Sequence, residues 1–228
     1  SQTRVPMIFS NQASVPMEVT AQMIHNCPYW FQLYFSKSRE LVESFVHRAE
    51  SCGCSALVLT LDTTTLGWRT RDLDNAYLPF IRGLGIAQYT SDPVFRKLMA
   101  DTDLSSQNSS GFTLRKLALA HAMMKNYPGS YWKNWRTKDP IKAVRKFIEI
   151  YSRPELSWDD VAWLKSITKL PLIIKGVLTV EDSLRAMDAG ADAIVVANHG
   201  GRQVDRVVSS LDALVSIRKN APAAFPLL

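Results

Sequence analysis

Lys175, His199 and Arg202 draw attention because each sits just beyond a short aliphatic run, where a side chain can leave a packed core and face a cavity. Leu172, Ile173 and Ile174 precede Lys175; residues 193–197 lead into Asn198 and His199, with Arg202 three positions further on. An imidazole in such a place can take up or release a proton near neutral pH. A lysine behind three aliphatic residues needs a counter-charge, because a buried ammonium is costly unless paired, and an anionic ligand at the strand end would supply one. Gly200 and Gly201 would let another chain or a ligand approach the backbone closely. The plainer readings are that Lys175 marks the first exposed residue of a loop and that His199 has no chemical role. Spacing by itself leaves both readings open.

The elements that must position these groups follow from pattern. Both aliphatic runs are too short for helices and rich in β-branched residues, so they read as buried parallel strands. Between them Thr179 can cap a helix through Asp182, with Leu184, Ala186 and Met187 on its apolar face and Gly190 as its stop. Upstream the alternation continues: a strand at 7–10, a helix from about residue 16, a strand at 30–34 and a helix over 38–51. That last helix carries Leu41, Val42, Phe45, Val46 and Ala49 at helical spacing. Gly53 and a strand at 56–61 come next, and Asp62 ends that strand. Between residues 63 and 154 the pattern loosens. The polar run of residues 105–111 cannot bury a core and is expected to be a mobile lid or an insertion. Amphipathic stretches at 113–125 and 141–150 predict helices, Ser157 with Asp160 opens another, and a further helix begins near Val207.

Three segments, WFQLYFSKSRELVESFVHRAE, ALVLTLDTTTLGWRTRDL and KGVLTVEDSLRAMDAGADAIVVANHGGRQVD, resemble in order and spacing the FMN-dependent α-hydroxy acid oxidase and dehydrogenase family. Ser10, Asn11, Gln12, Ala13 and Ser14, together with Leu66-Gly67-Trp68-Arg69 and the polar segment after them, resemble its lactate 2-monooxygenase branch most. The resemblance implies an α/β fold of the TIM (β/α)8 type. The chain has 228 residues, whereas such a barrel usually takes about 250, so an incomplete barrel is expected. VPMIFSNQAS matches the second strand and FPLL the start of the seventh. The first and eighth strands and the family's phosphate-binding segment are without counterparts. Residues 1–228 are then one partial FMN-binding domain, with the lid or insertion inside 63–154.

The resemblance also implies roles, each with a chemical reason. His199 corresponds to the active-site base that removes a proton from the hydroxyl or, in a carbanion scheme, from the α-carbon. Asp62 corresponds to the carboxylate that supports the imidazolium. Arg202 corresponds to the arginine that clamps the substrate carboxylate, a task suited to the planar guanidinium fork, and Arg69 to a second arginine nearby. Tyr34 corresponds to a tyrosine whose hydroxyl faces substrate; a strand-end aromatic packed on the lid is the neutral alternative. Lys175 corresponds to the cation beside the flavin ring, and Gln32, Thr60 and Ser10 to polar strand-end groups that hydrogen-bond it. Gln12 replaces a tryptophan found in some relatives, which alters the substrate-side wall.

Charge and cysteine usage narrow the remaining classes. The net charge of +6 is spread along the chain without a polybasic block or a nucleic-acid motif, so small anions are better partners than nucleic acid. No apolar run reaches the roughly 18 residues of a membrane span. Three cysteines, with Cys52 and Cys54 lacking C-x-x-C spacing, suit a reduced intracellular, cytoplasmic setting; an upstream targeting segment stays open. Cys54 is expected to pack as a small apolar residue, and His25, His47 and His121 to be structural. The expected activity is FMN-dependent oxidation of a small (S)-2-hydroxy acid, lactate-like, to the 2-oxo acid or its decarboxylated product. Oxygen is a candidate electron acceptor and a homo-oligomer the expected assembly. Two alternatives remain: an inactive scaffold or partner-binding protein, and another FMN-barrel enzyme.

Overall fold

Short runs of β-branched and aromatic residues form one parallel sheet: β1 (Met7–Ser10), β2 (Tyr29–Leu33), β3 (Ala56–Thr60), β4 (Leu172–Val177) and β5 (Ala193–Val196). The computed structural model describes residues 5–24, 27–75, 77–104 and 113–228. The strands stand side by side in the order in which they occur in the chain, every neighbouring pair parallel. That is the winding of a (β/α)8 barrel; a doubly wound sheet would reverse its strand order. Beyond β5, Leu228 donates to the Ile194 carbonyl at 2.9 Å and Ile194 to the Pro226 carbonyl at 3.1 Å. The segment FPLL therefore begins a further parallel pairing on that edge, as expected, and the fold is an incomplete α/β barrel.

The connections are α1 (Met17–Met23), α2 (Arg39–Ser51), α3 (Thr70–Asp74), a 3-10 turn at Pro79–Arg82, α4 (Ala87–Ser91), α5 (Pro93–Ala100), α6 (Leu114–Asn126), α7 (Tyr131–Thr137), α8 (Asp139–Ile150), α9 (Trp158–Ser166), α10 (Val180–Asp188) and α11 (Ser210–Asn220). Helix α2 forms because Ser38 accepts a hydrogen bond from the Leu41 amide at 3.2 Å and because its apolar residues recur at helical spacing. Leu41, Val42, Phe45, Val46 and Ala49 are all fully buried. Each of the larger ones contributes roughly 1.5–3 kcal/mol by leaving water. Ser157 and Asp160 form the expected capping box of α9.

Two differences from expectation concern the segments around Lys175. Leu184 belongs to the solvent side of α10, 42% exposed, while Ser183 and Ala186 are buried. The inward face is set by positions three apart, so Leu184 is turned about 100° away from it. Lys175 does not end its strand, because β4 runs on to Val177 through an irregularity in register. In the loosely patterned middle, α3, α4, α5 and α7 are helices of five to eight residues that the sequence pattern did not mark. Residues 105–111 and His25 lie outside the described residues.

The sheet separates two apolar layers. Its outer face, with Leu57, Leu59, Leu172 and Ile174, packs on the helices in the main core. Its inner face carries a smaller cluster of Ala56, Val58, Ile173 and Ala193 with Trp30 and Val195 against it. Because side chains alternate along a strand, positions two residues further on share that inner face: Gln32 after Trp30, Thr60 after Val58 and Lys175 after Ile173. The inner face thus changes from apolar to polar toward the C-terminal ends of the strands. Cys54 is buried as expected, and burial, then neighbouring Cys52, push its thiol pKa up to about 12. Among the described residues no helix is long and apolar enough to cross a membrane.

Candidate active site

The polar end of the inner face is a connected hydrogen-bond chain. Ser10 is paired in register with Gln32 and donates to its Oε1 at 2.5 Å; Gln32 Nε2 donates to Thr60 Oγ1 at 3.0 Å. Gln32 and Thr60 are both buried, so each needs such a partner. Thr60 is in turn paired in register with Lys175. The four side chains assigned to one ligand surface by resemblance therefore lie on one face of four adjacent strands.

Asp62, two residues beyond Thr60, is the point on which the rest converges. Its Oδ1 lies 2.8 Å from His199 Nδ1, and its Oδ2 lies 3.6 Å from Lys175 Nζ without any hydrogen-bond partner. Thr63 adds a third contact, donating to Asp62 Oδ1 at 3.1 Å while its oxygen is also 3.1 Å from His199 Nδ1. With the carboxylate as acceptor, the network assigns the proton of a neutral imidazole to Nδ1 and leaves Nε2 as the free base.

The backbone makes room for this cluster at two unusual positions. Gly176 has φ +104°, and a Cβ there would lie 2.7 Å from both Cβ and Cγ of Asp62. Only glycine lets the irregular part of β4 pass so close to the carboxylate. His199 itself has φ +57°, in the left-handed region that non-glycine residues seldom occupy. The turn is held from both sides: the Asn198 side chain accepts from the Gly201 amide at 3.2 Å, and the Asn198 amide donates to Ser210 Oγ at 3.2 Å, at the start of α11. A strained histidine fixed by its surroundings is a pattern found at functional sites.

Tyr34, just past β2, lies near the same group. Its phenol pKa is raised by burial first; a hydrogen bond with Thr63 and the Arg69 charge oppose this, and the Asp62 charge adds to it. The hydroxyl is thus kept neutral and able to donate. Arg69 Nη2 donates to Gln203 Oε1 at 3.2 Å, while Gln203 Nε2 donates to the Thr65 carbonyl at 3.0 Å, tying the loop after β3 to the turn after β5. Gly67 allows this approach, since a Cβ there would lie 2.5 Å from the Arg202 carbonyl oxygen. Arg202 is the outlying member: its side chain is 57% exposed, and its Nη2 reaches Asp72 Oδ2 at 3.6 Å. The same Asp72 oxygen is 4.0 Å from Arg69 Nη1.

Thr63, Gln203 and Asp72 were not among the residues singled out from sequence. Thr63 and Gln203 carry no local signal, because the partners that tie them to the site, His199 and Arg69 respectively, are more than 130 residues away. Asp72 did have one, lying three residues after Arg69, a spacing at which opposite charges meet on a helix.

Comparison with known proteins places the chain in a family. Residues 1–228 match the family model described as FMN-dependent dehydrogenase. The chain is 34% identical over 227 residues to an L-lactate oxidase of Lysinibacillus sphaericus, covering all of this chain and 50% of that protein. It is 35% identical over 223 residues to a 2-hydroxyacid oxidase of Dictyostelium discoideum, covering 97% of this chain and 46% of that protein. Among solved structures, a mandelate oxidase with (S)-4-hydroxymandelic acid superposes with a TM-score of 0.64 at 28% identity, over 94% of this chain and 48% of that one. The chain spans about half the length of these relatives.

Proposed function

We propose that this chain, which belongs to the FMN-dependent dehydrogenase family, carries the proton-transfer and ring-binding half of an enzyme that oxidises lactate-type (S)-2-hydroxy acids to 2-oxo acids. The observation that carries this reading is the convergence of His199 and Lys175 on the two oxygens of Asp62 at the strand ends. Asp62 holds Nδ1 of the imidazole, which orients Nε2 as the base and stabilises the imidazolium formed when it takes a proton from the substrate hydroxyl or α-carbon. Arg202 and Arg69 hold the substrate carboxylate, and the neutral Tyr34 hydroxyl donates a hydrogen bond to the same substrate.

The residues fit FMN. The polar edge of a flavin ring needs donors and acceptors side by side, and Ser10, Gln32, Thr60 and Lys175 offer them from adjacent strands, with Lys175 as the nearby cation. When bound, FMN supplies the two-electron acceptor that this alcohol oxidation requires. Relatives named as oxidases favour oxygen as the final acceptor.

The direct test is anaerobic mixing of the full-length, FMN-loaded protein with L-lactate and with its D enantiomer. Bleaching of the flavin bands by the L form, with one 2-oxo acid formed per flavin, is the expected result. No bleaching by any 2-hydroxy acid would refute the reading.

A further inference from the structure

The segment after β3 and Arg202 of the turn after β5 line a half-open cavity of about 510 Å³. Arg69, Arg202 and Asp72 supply the charges in its wall, whereas Leu66, Leu73, Leu78 and Phe80 make most of the remainder apolar. The wall is partly fixed: the Phe80 ring packs 4.7 Å from Phe147 and 6.2 Å from Tyr151, centroid to centroid. It is also partly unsatisfied. Leu66 and Leu73 are 52% and 50% exposed around the same cavity, and the Nε of Arg69 is buried without a hydrogen-bond partner. Grouped exposed aliphatic side chains rimmed by charge mark a ligand groove, and the volume falls within the roughly 300–1,000 Å³ typical of small-molecule sites.

We infer that this cavity receives the side chain of the substrate, and that the enzyme prefers 2-hydroxy acids bearing a branched aliphatic or aromatic group to lactate. This rests on the proposed function, because Arg69 and Arg202 must hold the carboxylate for the tail to point along the apolar wall. The methyl group of lactate would leave most of that wall uncovered. One Asp72 carboxylate oxygen lies 3.6 Å from Arg202 and 4.0 Å from Arg69, on the two guanidiniums that a substrate carboxylate would use. Binding therefore exchanges one carboxylate for another at the arginines and adds apolar contact, so discrimination among substrates comes from the tail.

Calorimetric titration of the full-length, FMN-loaded protein with pyruvate and with 4-methyl-2-oxopentanoate tests this without turnover. Each added methylene in an apolar pocket changes discrimination by about tenfold or more. The larger 2-oxo acid should therefore bind at least tenfold more tightly, and Leu78→Trp, which narrows the cavity from one wall, should shrink that ratio to about threefold or less. Equal affinities, tighter pyruvate binding, or a ratio untouched by Leu78→Trp in a protein that retains its flavin would overturn the inference and leave the proposed function standing. Failure of both acids to bind would overturn the 2-hydroxy acid reading and this inference with it.

Discussion

His199 Nδ1 lies 2.8 Å from Asp62 Oδ1, although 137 residues separate the two side chains. The contact joins the end of β3 to the turn after β5 across the intervening β4, whose Lys175 faces the other oxygen of the same carboxylate at 3.6 Å. One acidic side chain thus sets both the orientation of the imidazole and the counter-charge of the lysine. Asp62→Asn removes the charge and makes the proton position on His199 ambiguous. Flavin reduction by the 2-hydroxy acid should slow by roughly 10²–10⁴-fold. Rapid-mixing absorbance under anaerobic conditions measures this, and a change of only a few fold would contradict it.

Gly176 is the packing counterpart of that relationship. Any Cβ there meets Asp62 at 2.7 Å and must also adopt φ +104°. Gly176→Ala is expected to destabilise the fold by about 1–3 kcal/mol and to lower activity by displacing Asp62. Chemical denaturation of both proteins reads the first effect; unchanged stability would mean that β4 can shift without cost.

Arg69 and Arg202 should respond to lysine substitution as a carboxylate clamp does. Losing the planar fork removes a charge-assisted hydrogen bond worth about 1.5–3 kcal/mol, so KM for the 2-hydroxy acid should rise by roughly 10–10² fold. Because Gln203 holds Arg69 through an oxygen 3.2 Å from its Nη2, Gln203→Ala should raise KM in the same direction but less. Steady-state kinetics on each variant decide the point.

Acid stability should depend on Asp160, whose side chain is 2% exposed beneath Arg39 and Arg153 at 2.7 and 2.9 Å. Burial pushes its carboxyl pKa up, but the hydrogen bond from Arg39, the Ser157 backbone amide and the two guanidinium charges outweigh this and hold it below the usual carboxylate range. A folded-state pKa below the unfolded one stabilises the protein at higher pH, and that contribution is lost as pH falls through the folded value. Thermal melting should therefore drop on acidification below the ordinary aspartate range, and Asp160→Asn should flatten that dependence while costing about 1–3 kcal/mol at neutral pH. A parallel pH dependence in both proteins would contradict this.

Much of this architecture is legible in the residues themselves. The strands announce themselves as short β-branched runs, α2 through its apolar spacing, and α9 and α10 through their caps, because in each case the determining partners are local. Lys175 and His199 stand out for the same reason, each behind an aliphatic run. Leu184 misleads because an apolar residue one position from the buried face is turned to solvent. Helices such as α3 and α4, five residues each, are too short to establish a period. Thr63 and Gln203 acquire meaning only when the chain closes loops of more than 130 residues, which no window along the sequence can register.

The most direct test of the central claim is the anaerobic reduction rate of full-length, FMN-loaded His199→Asn against that of the unaltered protein. Asparagine tolerates the left-handed backbone of that position, so the turn should survive while the base is removed. The account predicts normal flavin binding with reduction slowed by about 10²–10⁴-fold. Reduction within a few fold of the original rate would contradict it and place the base elsewhere.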